Sequence, residues 1–269
     1  MPASGATSVA GTPGAVGLTL RSLSRIFGGS GGEPVEALRA VDLDLEPGSF
    51  TALIGPSGCG KTTILRILAG LDRATSGGYE FRGLATGESP RIGYCFQEPR
   101  LLPWRTVGAN VSLPLEFAGV PKPERRMRAA TAIGKVELAG FMKARPATLS
   151  GGMRMRAAVA RAIVASPQLL LLDEPFGALD EVTRYRLDEV LRNLWMGERF
   201  TTLLVTHSIP EAVFLADRVL VLSPRPGRII GEVSVDLPER TPEIRGSDRF
   251  AAHVRELYRM LLAAMGDLA

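Results

Sequence analysis

Apolar residues follow two different spacings along the chain, and each spacing predicts a different kind of element. Short, largely apolar runs at residues 49–54, 169–172 and 201–206 predict strands that are buried on both faces. Between residues 187 and 195 the apolar positions recur at intervals of three and four, which predicts an amphipathic helix. Strands and helices that alternate in this way are typical of an α/β fold with a mostly parallel central sheet.

The chain ahead of residue 46 has a different texture. Residues 18–27 and 37–45 both predict strands, and the second run alternates leucine or valine with aspartate. A glycine-rich loop, 28–32, separates the two runs, so we expect an N-terminal antiparallel β subdomain beside the parallel sheet. Residues 1–17 are small and rich in Gly, Ala and Pro, and we expect them to be disordered.

Prolines recur from residue 98 to about residue 148, with helical segments between them, of which 124–138 is the clearest. This texture predicts a helical subdomain, about 98–156, inserted into a main domain of residues 18–235. A final extension, 236–269, is polar and then helical. Its apolar stripe consists of Phe250, Val254, Leu257, Leu261 and Met265. Such a stripe fits packing against the parent domain, and amphipathic spacing alone leaves docking to a partner open.

Composition narrows the class of protein. The 269 residues are 45% apolar and 22% charged, which is ordinary for a globular chain with a substantial core. No run approaches the roughly 18 consecutive apolar residues that span a bilayer. The net charge is +4, but no motif that reads RNA or DNA occurs. We therefore interpret the excess of basic residues as a solvated surface and expect no nucleic-acid partner. Cys59 and Cys95 form no disulfide framework and indicate a reducing, cytoplasmic location.

One stretch matches the phosphate-binding pattern G-x-x-x-x-G-K-[ST] at every fixed position. It consists of Gly55, Pro56, Ser57, Gly58, Cys59, Gly60, Lys61, Thr62 and Thr63. A predicted strand precedes the stretch and a predicted helix follows it, so backbone N–H groups and the helix dipole would face a bound phosphate. Lys61 would reach the β- and γ-phosphates of a nucleotide, and the Thr62 hydroxyl would bind Mg²⁺.

Two adjacent acids follow the leucine run at 169–172. In P-loop enzymes an acid at the end of this strand holds Mg²⁺, usually through water, and Asp173 has that position. Glu174 would lie beside the γ-phosphate, where a carboxylate can take a proton from an attacking water. The alternative is a solvated Asp-Glu turn. Four leucines ahead of the pair disfavour it, because buried strands of open sheets end at the ligand crevice.

The segment 149–156, with the sequence LSGGMRMR, resembles the signature motif of the ABC-type ATPases. The Walker A pattern at 55–62 and the Walker B pattern at 169–174 flank it in that family's order. The family's Q-loop, D-loop and switch positions are matched by Gln97, Asp180 and His207. The resemblance covers about residues 18–231 and implies a P-loop NTPase fold that binds and hydrolyses ATP with Mg²⁺.

The resemblance also implies a role for each matched residue. Ser150, Gly151 and Gly152 open a helix, and in the family this second anion site caps the γ-phosphate held by the other subunit of a head-to-tail dimer. Asp180 belongs to the same ATP-binding set. The family pattern makes Gln97 a ligand of Mg²⁺ or water and a hinge, and it places His207 on the γ-phosphate.

Two features depart from the family's usual residues. Phe27 matches the aromatic position that stacks on adenine, where Tyr or Trp is usual, so Phe would stack without a polar group; a Phe in the sheet core is the alternative. In the signature, Met153 and Met155 replace common glutamines. The serine and both glycines are intact, so we expect activity to survive.

Within the family, an ATPase chain without membrane spans resembles the separate subunit of bacterial importers. The segments 99–104 (PRLLPW) and 223–229 (SPRPGRI) look like the subgroup that serves nitrate, aliphatic sulfonates and taurine. This implies a homodimer at the cytoplasmic face of the membrane that drives uptake through a separate permease, with a solute-binding protein as an indirect partner. In the family the region after Gln97 forms the permease groove. Candidates to line it, unless they belong to the helical core, are Leu101, Leu102 and Trp104.

A soluble ABC ATPase that acts on nucleic acid or the ribosome is the alternative. Members that act on DNA insert a long coiled coil between phosphate loop and signature, and Lys61 and Ser150 are too close in sequence for that. Ribosome-associated members normally carry two cassettes, and this sequence contains one phosphate loop. Both observations favour transport.

Overall fold

The computed structural model describes residues 14–28 and 33–266, and within them the chain forms two β-sheets and eight α-helices. Residues 1–13 of the predicted disordered segment and residues 29–32 of the predicted loop lie outside the described residues. The predicted disorder is wrong at its last positions. Val16 is fully buried, and its carbonyl accepts a hydrogen bond from the Thr201 hydroxyl at 2.6 Å. Gly17 already belongs to the first strand.

A three-stranded antiparallel sheet confirms the predicted N-terminal β subdomain. Its strands are β1 (Gly17–Phe27), β2 (Val35–Leu45) and β4 (Ser76–Arg82), in the spatial order β2-β1-β4. Along β2, Val41, Leu43 and Leu45 are buried while Asp42 and Asp44 are not, as the period-two pattern predicts. This sheet lies over the first helix and one face of the central sheet, with which it shares a core.

A six-stranded sheet forms the centre of the molecule. Its strands are β3 (Phe50–Ile54), β5 (Ile92–Cys95), β6 (Leu169–Asp173), β7 (Thr201–Val205), β8 (Arg218–Leu222) and β9 (Ile229–Ser234). Their spatial order is β5-β6-β7-β3-β8-β9, and every neighbouring pair is parallel except β8 and β9. The prediction of a mostly parallel sheet is confirmed.

The leucines of β6 explain why its apolar run is continuous. Leu169 and Leu171 pack into the core beneath the antiparallel sheet. Leu170 and Leu172 point to the other face and join the core formed with the helices. A strand buried on both faces needs apolar residues at every position, so Asp173 marks the point where the strand leaves the core.

The helices are α1 (Lys61–Leu68), α2 (Val107–Val111), α3 (Leu113–Phe117), α4 (Lys122–Lys135), α5 (Gly151–Ile163), α6 (Glu181–Glu198), α7 (Ile209–Leu215) and α8 (Asp248–Gly266). Helices α2 to α5 lie between β5 and β6 in the chain, and α2, α4 and α5 pack against one another. This arrangement agrees with the predicted inserted helical subdomain; its boundaries at about 98 and 156 stay a prediction, since α5 continues to Ile163.

The C-terminal extension is fastened to the main domain. Phe250 and Leu257 of α8 are buried, and the helix packs on α7 and β9. Ahead of α8, Arg245 forms an ion pair of 2.6 Å with the fully buried Asp188 of α6. Of the predicted apolar stripe, Met265 is exposed and the other four positions pack against the core. The stripe therefore serves packing within the chain.

Candidate nucleotide site

The predicted phosphate loop lies between the carboxyl end of β3 and the start of α1. Gly58 and Gly60 have φ angles of +75° and +103°, in the left-handed region that favours glycine. A Cβ on Gly60 would lie 2.5 Å from Leu38 Cδ2 and 2.8 Å from the Ala37 carbonyl oxygen. Gly60 is also the N-cap of α1, where no side chain caps the helix. The first N–H groups of α1 are therefore left for a ligand.

Lys61 carries the positive charge of this loop. Its side chain is buried, and Nζ donates to the carbonyl oxygens of Gly55 at 2.8 Å and Pro56 at 2.9 Å. No carboxylate lies within salt-bridge distance of this ammonium among the residues that the structure describes. Its third contact is the Cys59 sulfur at 3.8 Å, so the described partners of the ammonium are neutral. A buried cation with neutral partners is suited to an anionic ligand, because a charge out of water is costly unless it is paired.

Asp173 and Thr62 form the second part of the site. The Thr62 hydroxyl donates to Asp173 Oδ1 at 2.8 Å, and the Tyr94 hydroxyl donates to Oδ2 at 3.0 Å. Burial raises the pKa of Asp173, while these two hydrogen bonds act to lower it. The pKa of Tyr94 is raised by its burial and by the neighbouring carboxylate, so the phenol stays a donor. A carboxylate beside a hydroxyl is a donor set that fits Mg²⁺, which takes one or two protein oxygens and completes its shell with phosphate and water.

Glu174 stands where three predicted residues meet. Its φ of 44° is unusual for a residue with a side chain, and its N–H donates to the Val205 carbonyl at 2.9 Å. This backbone turns the side chain out of the sheet. Its Oε2 lies 3.1 Å from His207 Nδ1 and accepts a hydrogen bond from Gln97 Nε2 at 3.3 Å. The structure thus brings together all three residues of the predicted catalytic set.

Several of these groups line one cavity of about 340 Å³, a size suited to a small-molecule ligand; Asp173, Tyr94 and His207 are not among its lining residues in the described part of the chain. Its lining comprises Phe27, Val35, Ala37, Ser57, Gly58, Gly60, Lys61, Thr62, Thr63, Gln97, Glu174 and Arg225. Phe27 stands at the edge of this cavity with 40% of its surface exposed, and the Arg25 guanidinium lies 4.4 Å from its ring centroid. An exposed ring at the cavity supports the base-stacking prediction over the sheet-core alternative.

The signature residues stand apart from this cavity. Ser150 is the N-cap of α5 and accepts a hydrogen bond from the Met153 N–H at 3.2 Å, while Gly151 and Gly152 are the first residues of the helix. Asp180 is the N-cap of α6 and accepts from the Thr183 N–H at 3.0 Å, and these contacts lower its pKa. None of these four residues is among the described residues that line the cavity.

Two residues at the site were not predicted. Tyr94 lies on β5, and nothing in the sequence shows that this strand is the neighbour of β6 and carries its hydroxyl to Asp173. Arg225 lines the cavity and donates to the Gly58 carbonyl from Nε at 3.2 Å and Nη2 at 3.0 Å. The segment 223–229 stood out only for its resemblance to importers, and its return to the phosphate loop requires the fold.

A parallel sheet with a phosphate loop after β3 and an acidic pair after β6 defines a P-loop nucleoside triphosphatase. The sequence model described as ABC transporter matches residues 38–177, and the chain belongs to this family. It is an ATP-binding and ATP-hydrolysing cassette of a transporter, so the predicted family, fold and enzyme class are confirmed. Within the described ranges, 14–28 and 33–266, the chain contains no helix that combines the length and apolarity needed to cross a membrane.

Related sequences align with most of the chain. An uncharacterized ABC transporter ATP-binding protein of Methanocaldococcus jannaschii is 44% identical over 247 residues, which is 91% of each chain. The aliphatic sulfonates import ATP-binding protein SsuB of Rhodopseudomonas palustris is 43% identical over 264 residues, or 98% of this chain and 88% of the relative. The SsuB protein of a Mycobacterium species is 45% identical and covers 93% of this chain and 94% of its own length.

Solved structures show the same fold. A dimeric ATP-binding cassette, described in a post-hydrolysis state with ADP and Pi, matches with a TM-score of 0.71 and 31% identity over 82% of this chain and 100% of its own. A second structure, a dimeric bacterial ABC transporter cassette, matches at 32% identity with the same TM-score. The nucleic-acid and ribosome alternative receives no support from these relatives.

Proposed function

We propose that this chain is the ATPase subunit of an importer for aliphatic sulfonates, and that two copies share each ATP. One observation carries the second half of this proposal. Lys61, Thr62 and Glu174 line one cavity of the chain, and Asp173 is hydrogen-bonded to Thr62, whereas Ser150 at the start of α5 is not among the described residues that line this cavity. A site with its phosphate loop in one place and its signature helix in another is complete only when a second copy supplies the missing half.

The phosphate-loop half would hold ATP and its metal ion. The N–H groups at the start of α1 and the ammonium of Lys61 bind the phosphates, and Phe27 stacks on the base. Thr62 and Asp173 would hold Mg²⁺, with Gln97 as a further oxygen donor. The ion, when bound, neutralises developing charge on the phosphates. Burial raises the pKa of Asp173 and so disfavours its charged form, and a bound cation would favour that form.

Glu174 is the general base in this proposal. Its carboxylate takes one proton from a water, whose oxygen attacks the γ-phosphorus as the bond to the bridging oxygen breaks, leaving ADP and phosphate. Gln97 and His207 hold Oε2 through contacts of 3.3 and 3.1 Å, which limits the directions from which the base can approach the water. The second ring nitrogen of His207 remains for the γ-phosphate.

The second copy would contribute the signature helix. Ser150 and the N–H groups of Gly151 and Gly152 present the positive end of the α5 dipole, which favours a phosphate. Asp180, beside them at the start of α6, would meet the opposing phosphate loop. Two solved relatives are described as dimeric, which supports the pairing of two copies.

Docking to the permease is proposed for the surface after Gln97. Trp104 is 69% exposed, whereas Leu101 packs against the helical core, so the predicted groove residues divide between the two roles. A large exposed aromatic residue is a typical interface anchor. We therefore place Trp104 against the permease, at the cytoplasmic face of the membrane, with a solute-binding protein on the opposite side.

The solute is inferred from relatives, because it does not contact this chain. Relatives named as aliphatic sulfonate importers are 42–47% identical over 74–98% of the chain. Nitrate and taurine were equally compatible with the two sequence segments. The identity of these relatives favours a sulfonate.

Growth of the source organism tests the solute. Deletion of the gene should abolish growth on ethanesulfonate as the sole sulfur source while growth on sulfate is normal. Wild-type protein supplied in trans should restore growth, and the Glu174→Gln variant should not. A defect confined to taurine or nitrate would replace the sulfonate by that solute, and normal growth on all three would refute the import assignment.

A further inference from the structure

The turn between β8 and β9, residues 223–228, runs along the side of the phosphate loop. This close approach requires a glycine at position 227, because a Cβ there would lie 2.1 Å from the carbonyl oxygen of Cys59. The Gly227 N–H donates to the Ala37 carbonyl at 2.9 Å, and the Arg39 N–H donates to the Gly227 carbonyl at 3.1 Å. The turn is therefore fastened between the loop and β2.

Hydrogen bonds within the turn fix its shape. The Ser223 hydroxyl donates to the Pro226 carbonyl at 3.1 Å and accepts from the Arg228 N–H at 3.1 Å. A turn that is fixed by its own hydrogen bonds and by contacts on two sides positions its side chains before a ligand binds. Less conformational entropy is then lost on binding. The side chain so aimed is Arg225.

The Arg225 guanidinium is positioned but not neutralised. Its Nε and Nη2 both donate to the Gly58 carbonyl oxygen, which orients the plane of the group over the phosphate loop. Guanidinium has five N–H donors, so donors remain on Nη1 and Nη2. Among the described residues no carboxylate lies within 4 Å of it, in contrast to Arg39, which pairs with Glu36. An unneutralised cation at the cavity attracts an anion.

We infer that Arg225 binds the phosphates of the nucleotide, as a second cation beside Lys61. The inference rests on the proposed nucleotide site and adds a residue to it. Lys61 approaches the cavity from within the loop, and Arg225 approaches from the outer side at Gly58. Arg225 shares the cavity with Phe27 and the phosphate loop, so a nucleotide that fills it meets both cations.

Arg228 provides a matched control within the same turn. It is also exposed and also an arginine, yet it lines only the neighbouring groove beneath α8 and not the nucleotide cavity. Comparing Arg225→Gln with Arg228→Gln therefore changes the same charge at positions a few residues apart. Arg225→Lys keeps the charge and loses the planar pair of donors.

Equilibrium binding of ATP, ADP and adenosine to the full chain tests the inference, together with KM and kcat for ATP hydrolysis. Arg225→Gln should weaken ATP and ADP about tenfold, as expected for one charge-assisted hydrogen bond to phosphate, with adenosine binding and kcat nearly unchanged. Arg225→Lys should fall between wild type and Arg225→Gln. Arg228→Gln should bind all three ligands like wild type.

Two results would overturn the assignment. Equal effects of Arg225→Gln and Arg228→Gln would show that only the net charge matters. An equal loss for adenosine and ATP, or a fall in kcat without a rise in KM, would make Arg225 a support of the loop. The Lys61→Ala variant tests the proposed nucleotide site separately from the role of Arg225. If Lys61→Ala binds ATP normally, the proposed phosphate loop itself is wrong.

Discussion

Two helix N-termini in this protein are proposed to bind phosphate by the same backbone physics, and the side chains around them differ. At the phosphate-loop end, residues 55–63, the cap of α1 is a glycine, Lys61 and Glu174 line the adjoining cavity, and Asp173 accepts a hydrogen bond from Thr62. At the signature end, residues 149–152, Ser150 caps α5 itself, and residues 149–153 carry no charged side chain. In the proposed function the first end supplies the charged groups, and the second supplies Ser150, N–H groups and a helix dipole, so each end needs the other.

Their aspartates show the same contrast. Asp173, at the phosphate-loop end, is buried, and its pKa is raised by the loss of water around it. Asp180, near the signature end, is exposed, and its pKa is lowered by the hydrogen bonds that make it the cap of α6. Burial therefore disfavours the charged form of Asp173, whereas capping hydrogen bonds stabilise the charged form of Asp180.

Replacing the base should have the largest effect. In Glu174→Gln the new side chain has nearly the same shape, but its amide cannot accept the proton from water. We therefore expect kcat to fall about a thousandfold while ATP binding is retained. ATP should then hold a closed dimer, visible as a doubled mass in light scattering. Glu198→Gln, which removes a surface pair with Lys135, is the control and should hydrolyse normally. Near-normal hydrolysis by Glu174→Gln would rule out the base assignment.

The signature end is broken by Ser150→Arg. A guanidinium at the start of α5 fills the space offered to the opposing phosphate, so hydrolysis should fall about a hundredfold, comparable to loss of an oxyanion donor. Binding of ATP to a single copy should stay close to wild type, because Ser150 does not line the cavity.

A second cap separates this effect from simple helix damage. Thr106 caps α2 in the same way, accepting from the Ala109 N–H at 3.3 Å. Thr106→Ala should cost about 1 kcal/mol of stability and leave hydrolysis intact. If Ser150→Arg and Thr106→Ala reduce activity equally, the signature end is merely structural.

A smaller change sharpens the difference between the two aspartates. The Tyr94 hydrogen bond favours the Asp173 carboxylate, so Tyr94→Phe should raise the pKa of Asp173 further. The metal needs the ionised form, and ionisation is lost as pH falls. The acid limb of Mg²⁺-dependent ATP binding should therefore move to higher pH. Tyr79→Phe, on the antiparallel sheet, is the control. If the acid limb of the Tyr94→Phe variant matches that of the wild type, Tyr94 does not influence metal binding at Asp173.

The sequence predicted best the features that depend on local pattern. The leucine run of β6, the turn chemistry of the phosphate loop and the capping serine of α5 each follow from residues within one element. The combination of these motifs and their order along the chain indicate the family from the sequence alone. Burial on both faces explains why the strands of the parallel sheet stood out.

What it missed depends on contacts between distant segments. The edge strand β9 is half exposed and carries a glycine, so its pattern is weak. Helices α2, α3 and α7 are too short to show a period. Tyr94 and Arg225 gain their meaning only from strand order and from the path of the 223–228 turn, neither of which local sequence encodes. The burial of Val16 likewise depends on Thr201, on a distant strand.

The central claim is that phosphate loop and signature act on the same ATP from different copies. Lys61→Ala and Ser150→Arg should each be inactive alone, one for want of ATP binding and the other for want of the opposing helix. Mixed in equal amounts, half of the dimers combine the two variants, and each such dimer contains one intact site of two.

Measuring ATP hydrolysis of this mixture is the most direct test. The account predicts recovery to roughly a quarter of the wild-type rate, provided that the two sites of a dimer work independently. A mixture as inactive as its separate components would show that both motifs must come from a single chain, and it would contradict the shared site.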